Sequence, residues 1–446
     1  MKRNNSRTAI IGLGKTGLSI AKYLKNNNID FVVYDTRENL LITKDITKYI
    51  DEKYIFLGNF DKDIISKHDN FIISPGLKLK KDFINEIIKK NKNIETDIDI
   101  YNKKSSCKTI CITGSNGKTT VTSMIEHVLV GLGIKAKAGG NIGLPALELL
   151  YKNYEYSVLE LSSFQLEMIK KINCVAAVIT NITPDHLDRH STFENYIRIK
   201  HKIFENTKNI IINRDDKNIK KDNLFFRYSF GGDKPKNDNE LGICLKNEKK
   251  YISHGDKILL SADEIQLLGN HNLINVCTCL SVLHSLGFDL KDSANEIKSF
   301  LPIEHRMENF YSSGKVRWIN DSKATNIEST ISAINSLEEN IILIIGGKSK
   351  EDNYDKLNQA ITDKIRQIII YGESRHTLAD IIKDKYKVSK VDNLSDAVKN
   401  AKKLAKMIIK NNDNLINVLL SPACSSYDMF NSYEERGLYF KKCVLE

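Results

Sequence analysis

Two glycine-rich loops hold the residues whose types and spacing most plainly do chemistry. The first is Gly12-Leu13-Gly14-Lys15-Thr16-Gly17, which follows an apolar run and precedes a helical pattern. Asp35 ends the next apolar run, roughly 20 residues further on, as in a Rossmann fingerprint. Glycines there allow a tight turn and let a phosphate approach the N-terminus of the following helix. Alone, the loop fits NAD binding, or a glycine turn that only packs strand on helix. The second is Thr113-Gly114-Ser115-Asn116-Gly117-Lys118-Thr119-Thr120, between the run 109–112 and a helical pattern that starts near Val121. Successive backbone N–H groups in such a loop form a nest for an anion, reinforced by the helix dipole. Lys118 is then placed for the β- and γ-phosphates of a nucleotide and Thr119 for Mg²⁺. Ile112 stands where the strict P-loop pattern has its first glycine, and a simple N-cap turn is the plain alternative. A dehydrogenase accounts for the first loop only, and a P-loop motor for the second only. An ATP-dependent enzyme whose other substrate carries a nucleotide diphosphate accounts for both.

Further polar residues follow other apolar runs. Glu160 lies in Leu159-Glu160-Leu161-Ser162-Ser163-Phe164-Gln165, and Asn181-Ile182-Thr183-Pro184-Asp185-His186-Leu187-Asp188-Arg189-His190 comes after the run ending at Thr180. Carboxylates and histidines at the C-terminal ends of parallel strands lie where α/β sheets bind ligands. Beside an ATP γ-phosphate they would hold Mg²⁺, which takes few protein ligands and completes its shell with water and phosphate oxygens. Asp185, His186 and His190 equally suit helix capping or a plain surface. By spacing, Lys200 is a solvated helical lysine that shares a face with Tyr196. A last set comprises His305-Arg306, Trp318-Ile319-Asn320-Asp321-Ser322-Lys323-Ala324-Thr325-Asn326, Gly346-Gly347-Lys348-Ser349-Lys350 and Ser421-Pro422-Ala423-Cys424-Ser425-Ser426-Tyr427-Asp428. Each could be only a turn; together they imply a ligand site along one sheet edge.

These loops need strands to hold them. Short β-branched runs at 8–13, 31–35, 71–74, 109–113, 157–161, 175–180, 210–213, 341–345, 367–371 and 417–421 alternate with amphipathic segments such as 18–26, 121–132 and 193–206. Continuous rather than alternating apolar runs mark strands buried on both faces. The expected class is α/β with several parallel sheets. The alternation restarts near Lys103-Lys104 and again near Leu301-Pro302, and the polar stretch 217–263 reads as a small β insertion. A chain of 446 residues has room for about three domains, expected at 1–104, 105–302 and 303–446.

Composition removes other classes. With 67 Lys+Arg against 56 Asp+Glu the formal charge is +11, which invites a polynucleotide reading. The basic residues are overwhelmingly lysines, single or in short clusters such as Lys80-Lys81 and Lys402-Lys403, with no Arg-rich stripe or stacking motif. Nucleic acid is therefore not expected as a partner. A hydrophobic content of 41% excludes disorder. No run nears the ~18 apolar residues of a membrane span. The short apolar run after Lys2, Arg3 and Arg7 stops at Lys15, too early for a signal peptide. The 8 cysteines show no CxxC or zinc spacing, as expected of unpaired thiols in a reducing cytoplasm.

The ordered series TGSNGKTT, ELSSFQLE, NITPDHLDRH, HRME, NDSKATN and SPACSSYDMFNSYEERG resembles the Mur ligase family over essentially the whole chain. The opening IIGLGKTGLS and the SPACSS…EERG ending look most like its D-glutamate-adding branch. The resemblance implies a Rossmann-like N-terminal domain for a uridine nucleotide and a central P-loop-type ATPase domain with a parallel sheet and small β insertion. A Rossmann-like C-terminal domain for an amino acid would follow. It implies that ATP phosphorylates the L-alanyl carboxylate of UDP-N-acetylmuramoyl-L-alanine and that the amine of D-glutamate displaces the phosphate. The setting implied is peptidoglycan precursor synthesis by a monomer in the bacterial cytoplasm.

Carried over residue by residue, the resemblance assigns Gly114, Ser115, Asn116, Gly117, Lys118, Thr119 and Thr120 to ATP phosphates, with Asn275, Arg306, Asp321 and Lys323 also on the ATP side. It gives Thr119, Glu160 and His186 to a pair of Mg²⁺ ions, helped by Lys200 as a carbamate, which reverses the solvated reading of that lysine. Lys118, Glu160, His186, Lys200 and Lys323 form the implied catalytic set. Thr16, Asp35, Thr36, Arg37 and Gly76 match the uridine end, and Asn141, Ser162 and Gln165 match muropeptide contacts. Thr325, Lys350, Ser426 and Tyr433 match the D-glutamate pocket. Three features depart from the family pattern: Lys15 in place of an apolar residue, the unusual GGKSKEDNY around Lys350, and Tyr433 in place of Phe.

Overall fold

Strands β1 (Thr8–Ile11), β2 (Phe31–Asp35), β3 (Ile55–Leu57), β4 (Asn70–Ile73) and β5 (Asn93–Glu95) form an all-parallel sheet in the order β3-β2-β1-β4-β5. The computed structural model describes residues 8–58, 63–77, 81–219, 228–337, 340–349, 354–382, 387–411 and 415–446. The sequence TAII of β1 is buried throughout, as continuous apolar runs in parallel sheets require. The strand order reverses between β1 and β4, so the loops that leave them at Gly12 and Ser74 open into one crevice. The Ser74 amide donates to Ile11 O at 2.9 Å across that crevice.

The second sheet has nine strands: β6 (Lys108–Thr113), β7 (Ala136–Gly140), β8 (Tyr156–Glu160), β9 (Cys174–Ile179), β10 (Thr207–Asn213), β11 (Tyr228–Phe230), β12 (Glu240–Lys246), β13 (Lys249–His254) and β14 (Lys257–Ser261). Their order is β14-β13-β12-β11-β10-β9-β6-β8-β7. Neighbours from β7 through to β12 run parallel, and β12, β13 and β14 form an antiparallel meander. The stretch expected as a small β insertion thus continues the edge of the central sheet. Because β6 lies between β8 and β9, the loops leaving these three strands are neighbours.

The third sheet comprises β15 (Glu308–Ser313), β16 (Val316–Asn320), β17 (Ile341–Gly346), β18 (Ile365–Tyr371), β19 (Val388–Lys390) and β20 (Ile416–Leu420), in the order β15-β16-β20-β17-β18-β19. All pairs are parallel except the β15–β16 hairpin. Strands β17 and β20 are buried along their whole length. Trp318, Ile319 and Asn320, expected in a polar loop, are instead the buried end of β16, and the loop begins at Asp321. The helix expected at 193–206 stops at His201 and gives way to a 3₁₀ turn, Lys202–Phe204.

By compactness, residues 1–261 with 274–297 form one unit, and 262–273 with 298–446 form another. The first two sheets belong to the first unit because they share a core. Ile20, Leu24 and Ile98 on the first sheet's side cluster with Ala146, Leu147 and Leu149 on the second. A Lys22–Glu148 ion pair at 2.6 Å lies at the same seam. Among the described residues, no helix is long and apolar enough to cross a membrane.

Candidate active site

The helix Lys118–Gly131 starts directly from the second glycine loop. Its N-cap, Gly117, has φ +82°, a left-handed conformation that suits glycine, and a Cβ there would stand 2.6 Å from Asn275 Oδ1. Asn275 therefore lies over the loop, where an ATP-side residue was expected. A Cβ on Gly114 would fall 1.9 Å from the Thr180 hydroxyl. The loop is braced from β9: the Ser115 amide donates to Asn181 O (2.8 Å) and the Asn116 amide to Asn181 Oδ1 (2.9 Å). Asn116 O in turn accepts from Asn181 Nδ2 (3.0 Å) and Thr180 Oγ1 (2.6 Å). Ser115 Oγ donates to Thr183 O at 2.9 Å and lies 3.1 Å from the Tyr196 hydroxyl. Lys118 Nζ donates to Gly114 O (2.7 Å) and Ser115 O (2.8 Å), which keeps its charge at the loop. A braced glycine loop at a helix N-terminus, with a lysine on it, is built for phosphate.

Glu160, only 2% exposed, ends β8 beside this loop. Its carboxylate accepts from Thr119 Oγ1 (2.8 Å) and from Asn141 Nδ2 (2.7 Å). Carboxylate and hydroxyl are hard oxygen donors, and a nearby phosphate would complete the set that Mg²⁺ prefers. His186 adopts φ +53° ahead of the short helix Leu187–His190. Its exposed ring sits 3.5 Å from the Asp185 carboxylate and 4.8 Å, centroid to centroid, from Phe164. His190 is a packing residue: it is buried beside Phe164 and Tyr196, with Nε2 2.9 Å from Ser163 Oγ, and burial lowers its pKa.

Lys200 corrects the reading from spacing. It is 1% exposed, not solvated, and its Nζ donates to Gly114 O at 2.8 Å beneath the phosphate loop. The same nitrogen lies 3.4 Å from Thr113 Oγ1 and 4.7 Å from the Tyr196 ring centre. Burial, joined by the Lys118 charge, pushes this amine well below the usual lysine range, against the pull of Asp185 and Glu160.

Between the first and second sheets lies a cavity of about 310 Å³. Gly14, Lys15, Thr16, Ser74, Pro75 and Gly76 line it from one side, and Asn141, Ser162, Phe164 and Gln165 from the other. Thr16 and Gly76, expected at the uridine end, therefore share one space with Asn141, Ser162 and Gln165, expected at the muropeptide. Ser162 and Gln165 also form a capping box on the helix Ser163–Met168, which fixes that wall. Asp35 and Arg37 lie outside the lining. They bond each other, with Arg37 Nε 2.8 Å from Asp35 Oδ1, and Asp35 accepts from the Leu13 amide at 2.7 Å. Burial opposes ionisation of Asp35, but the Arg37 guanidinium and two backbone amides outweigh it and hold the carboxyl below its usual range. Thr36, between them, is exposed.

In the second unit, β16, β20 and β17 stand side by side, so the loops after them are neighbours. Asp321 is buried, accepts from Ser421 Oγ (2.8 Å) and the Met307 amide (3.2 Å), and burial pushes its carboxyl up to about 7. The Met307 contact fixes the segment that carries Arg306. The Lys323 amide donates to His305 O at 3.1 Å, and Lys323 Nζ lies 3.8 Å from the centre of the Tyr433 ring. Tyr433, which opens the helix Tyr433–Leu445, accepts at its carbonyl from Ser322 Oγ (2.8 Å). Thr325 is half-buried one turn on, and Ser426 is buried in the loop after β20. Lys350 lies outside the described residues. Glu304, His305 and Glu308 converge as a metal site would, but Lys441 Nζ pairs with both carboxylates at 2.7 and 2.6 Å.

Several supporting residues carried no role in the sequence reading. Asn181, Thr180 and Tyr196 brace the phosphate loop. Arg436, 0% exposed, donates to Ser322 Oγ (2.9 Å), Ser322 O (2.8 Å) and Cys424 O (3.0 Å), tying the loop after β16 to that after β20. Asn181 and Arg436 stand in the polar stretches NITPDHLDRH and EERG, the one signal that could have marked them, whereas Thr180 and Tyr196 lie outside both.

Comparison with known proteins matches the chain segment by segment. Residues 6–96 match the Mur ligase MurD-like N-terminal domain, 112–283 the Mur ligase middle domain, and 305–420 the Mur ligase glutamate ligase domain. The chain is 36% identical over 453 residues to a UDP-N-acetylmuramoylalanine--D-glutamate ligase of Legionella pneumophila (strain Paris), with 99% of each chain covered. It is 35% identical over 441 residues to the Shewanella oneidensis protein of the same name, covering 98% of this chain and 97% of the other. Among solved structures, UDP-N-acetylmuramate-alanine ligase MurC from Thermotoga maritima superposes with a TM-score of 0.61 at 19% identity, covering 98% of both chains. A pseudomurein peptide ligase type C from Methanothermus fervidus gives 0.59 at 20% identity, covering 99% of both, and at such identities the likeness is one of fold. With matches of this length to all three of its segments, the chain belongs to the Mur ligase family.

Proposed function

We propose that this protein joins D-glutamate to UDP-N-acetylmuramoyl-L-alanine using ATP, releasing ADP and phosphate, as a cytoplasmic monomer in peptidoglycan precursor synthesis. The observation that carries the reading is the position of Asn141. It lines the cavity between the first two sheets and also hydrogen-bonds Glu160, which holds Thr119 of the phosphate loop. The acceptor's far end would thus meet the ATP γ-phosphate.

A carboxylate is a poor electrophile, so an oxygen of the L-alanyl carboxylate first attacks the γ-phosphorus and the bond to ADP breaks. The lone pair of the D-glutamate amine then adds to the carbonyl carbon of the acyl phosphate. The tetrahedral adduct loses a proton and expels phosphate, leaving the amide. The protein's part is positioning and charge neutralisation. Lys118 and the N-terminus of the helix Lys118–Gly131 face the phosphates. Thr119, Glu160, His186 and a carbamate on Lys200 would hold a pair of Mg²⁺ ions, which supply neutralisation of phosphate charge. The neutral amine that burial favours at Lys200 is the form that adds CO₂, giving a carbamate and releasing a proton.

Thr16, Asp35, Thr36, Arg37 and Gly76 would serve the uridine end, and Ser162 and Gln165 the muropeptide. Asn275, Arg306, Asp321 and Lys323 would serve ATP, and Thr325, Lys350, Ser426 and Tyr433 D-glutamate. The domain division proposed is 1–104, 105–302 and 303–446. The test is phosphate release from Mg·ATP with UDP-N-acetylmuramoyl-L-alanine, offering D-Glu, L-Glu, L-Ala and a diamino acid in turn. Release dependent on D-Glu is expected, and its absence would overturn the assignment.

A further inference from the structure

We infer that Arg189 is a positioning residue that couples occupancy of the nucleotide-sugar cavity to the segment bearing His186, an inference that rests on the substrate reading above. Its guanidinium carbon lies 4.1 Å from the centre of the Phe164 ring, and its Nη2 donates to Pro75 O at 3.1 Å. Its Nε is 3.4 Å from Glu167 Oε2, and the side chain is 14% exposed. Pro75 comes from the loop after β4 and Phe164 from the helix after β8, and both line the cavity. Phe164 also packs on the His186 ring. One side chain therefore holds a wall from the first sheet, a wall from the second, and the short segment that starts at His186.

A molecule that fills the cavity touches Pro75 and Phe164, so it biases the contacts that Arg189 makes. The position of Arg189 is linked in turn to that of His186, three residues earlier on the same turn. Coupling of this kind is reciprocal: nucleotide with Mg²⁺ at the phosphate loop must change affinity for the cavity ligand by the same factor. Arginine suits the task because its planar fork can stack on a ring while donating in two directions. A lysine ammonium is a point charge with no planar face to lay on the ring.

The test is calorimetric titration of UDP-N-acetylmuramoyl-L-alanine into the full chain, with and without a non-hydrolysable Mg·ATP analogue, for wild type, Arg189→Lys and Arg189→Met. Wild type is expected to bind at least ~5-fold more tightly with the analogue present. In both variants that ratio should fall to about one, while affinity for the analogue alone stays within about twofold. Phe164→Leu removes the stacked ring without touching the arginine and is expected to lose the ratio too, which keeps the test open if an Arg189 variant folds poorly. A wild-type ratio retained in the folded variants, or no coupling in wild type, would overturn the inference. Failure of wild type to bind this nucleotide-sugar at all would overturn the substrate reading and the inference with it.

Discussion

A lysine ammonium buried among a carbonyl, a hydroxyl and an aromatic ring, as at Lys200, is poorly stabilised as a cation. A carbamate there would exchange that cation for an oxygen donor beside the phosphate loop. Lys200→Ala is expected to lower kcat at least ~100-fold, the scale of losing a metal-site group. Added short carboxylates should restore part of it. Steady-state kinetics that find full activity in the unrescued variant would rule the carbamate out. At this scale, legibility followed locality. The Gly114 to Thr120 loop is readable because neighbours in sequence build it. The burial of Lys200 is invisible to spacing, since strands distant in the chain bury it. The brace of Asn181 on Asn116 and the Arg436 ties also cross between loops, so no pattern of residues announces them.

The elements themselves were legible where they are central. Continuous apolar runs such as TAII and IILIIG are buried strands. The edge strand β3, a three-residue IFL that is mostly exposed, and β7, with its sequence AKAGG, lack the length or the apolar run that marks a central strand. The Rossmann turn has a sharp steric requirement: a Cβ on Gly17 would sit 1.9 Å from Gly12 O. Gly17→Ala is expected to destabilise the first unit by ~1–3 kcal/mol, read as a lower urea midpoint, because helix and turn must separate. An unchanged midpoint would contradict this close packing. The helix Asp97–Lys104 gives a pH test. Its Asp97 is buried beside Asp99, and burial pushes its carboxyl from 3.8 up to about 7. Between these values the native state keeps a proton that the unfolded chain has lost, so stability falls as pH rises from about 4 to 7. Asp97→Asn should remove this part of the slope, gaining on the order of a few kcal/mol over wild type above the native pKa and little near pH 4. Asp321 shifts in the same direction and stays in the variant, so the slope should flatten only in part. Urea titrations across that range would show it, and parallel pH profiles for the two proteins would contradict it.

For the whole molecule, three parallel-type sheets each present loops at the C-terminal ends of their central strands. The proposed function needs three substrates: a nucleotide-sugar, ATP and an amino acid. The charge of +11 fits this account through a few cations, Lys118, Arg306 and Lys323, in a lysine-rich background. That the first two sheets share a core was not legible, because the residues of that seam, such as Leu24 and Leu147, read as ordinary helix and loop apolar positions. The central claim is activation of a carboxylate by phosphorylation. Its most direct measurement follows ¹⁸O from the L-alanyl carboxylate of labelled UDP-N-acetylmuramoyl-L-alanine during turnover with Mg·ATP and D-glutamate. The account predicts that each phosphate released carries an oxygen from that carboxylate; turnover that releases phosphate free of label would contradict it.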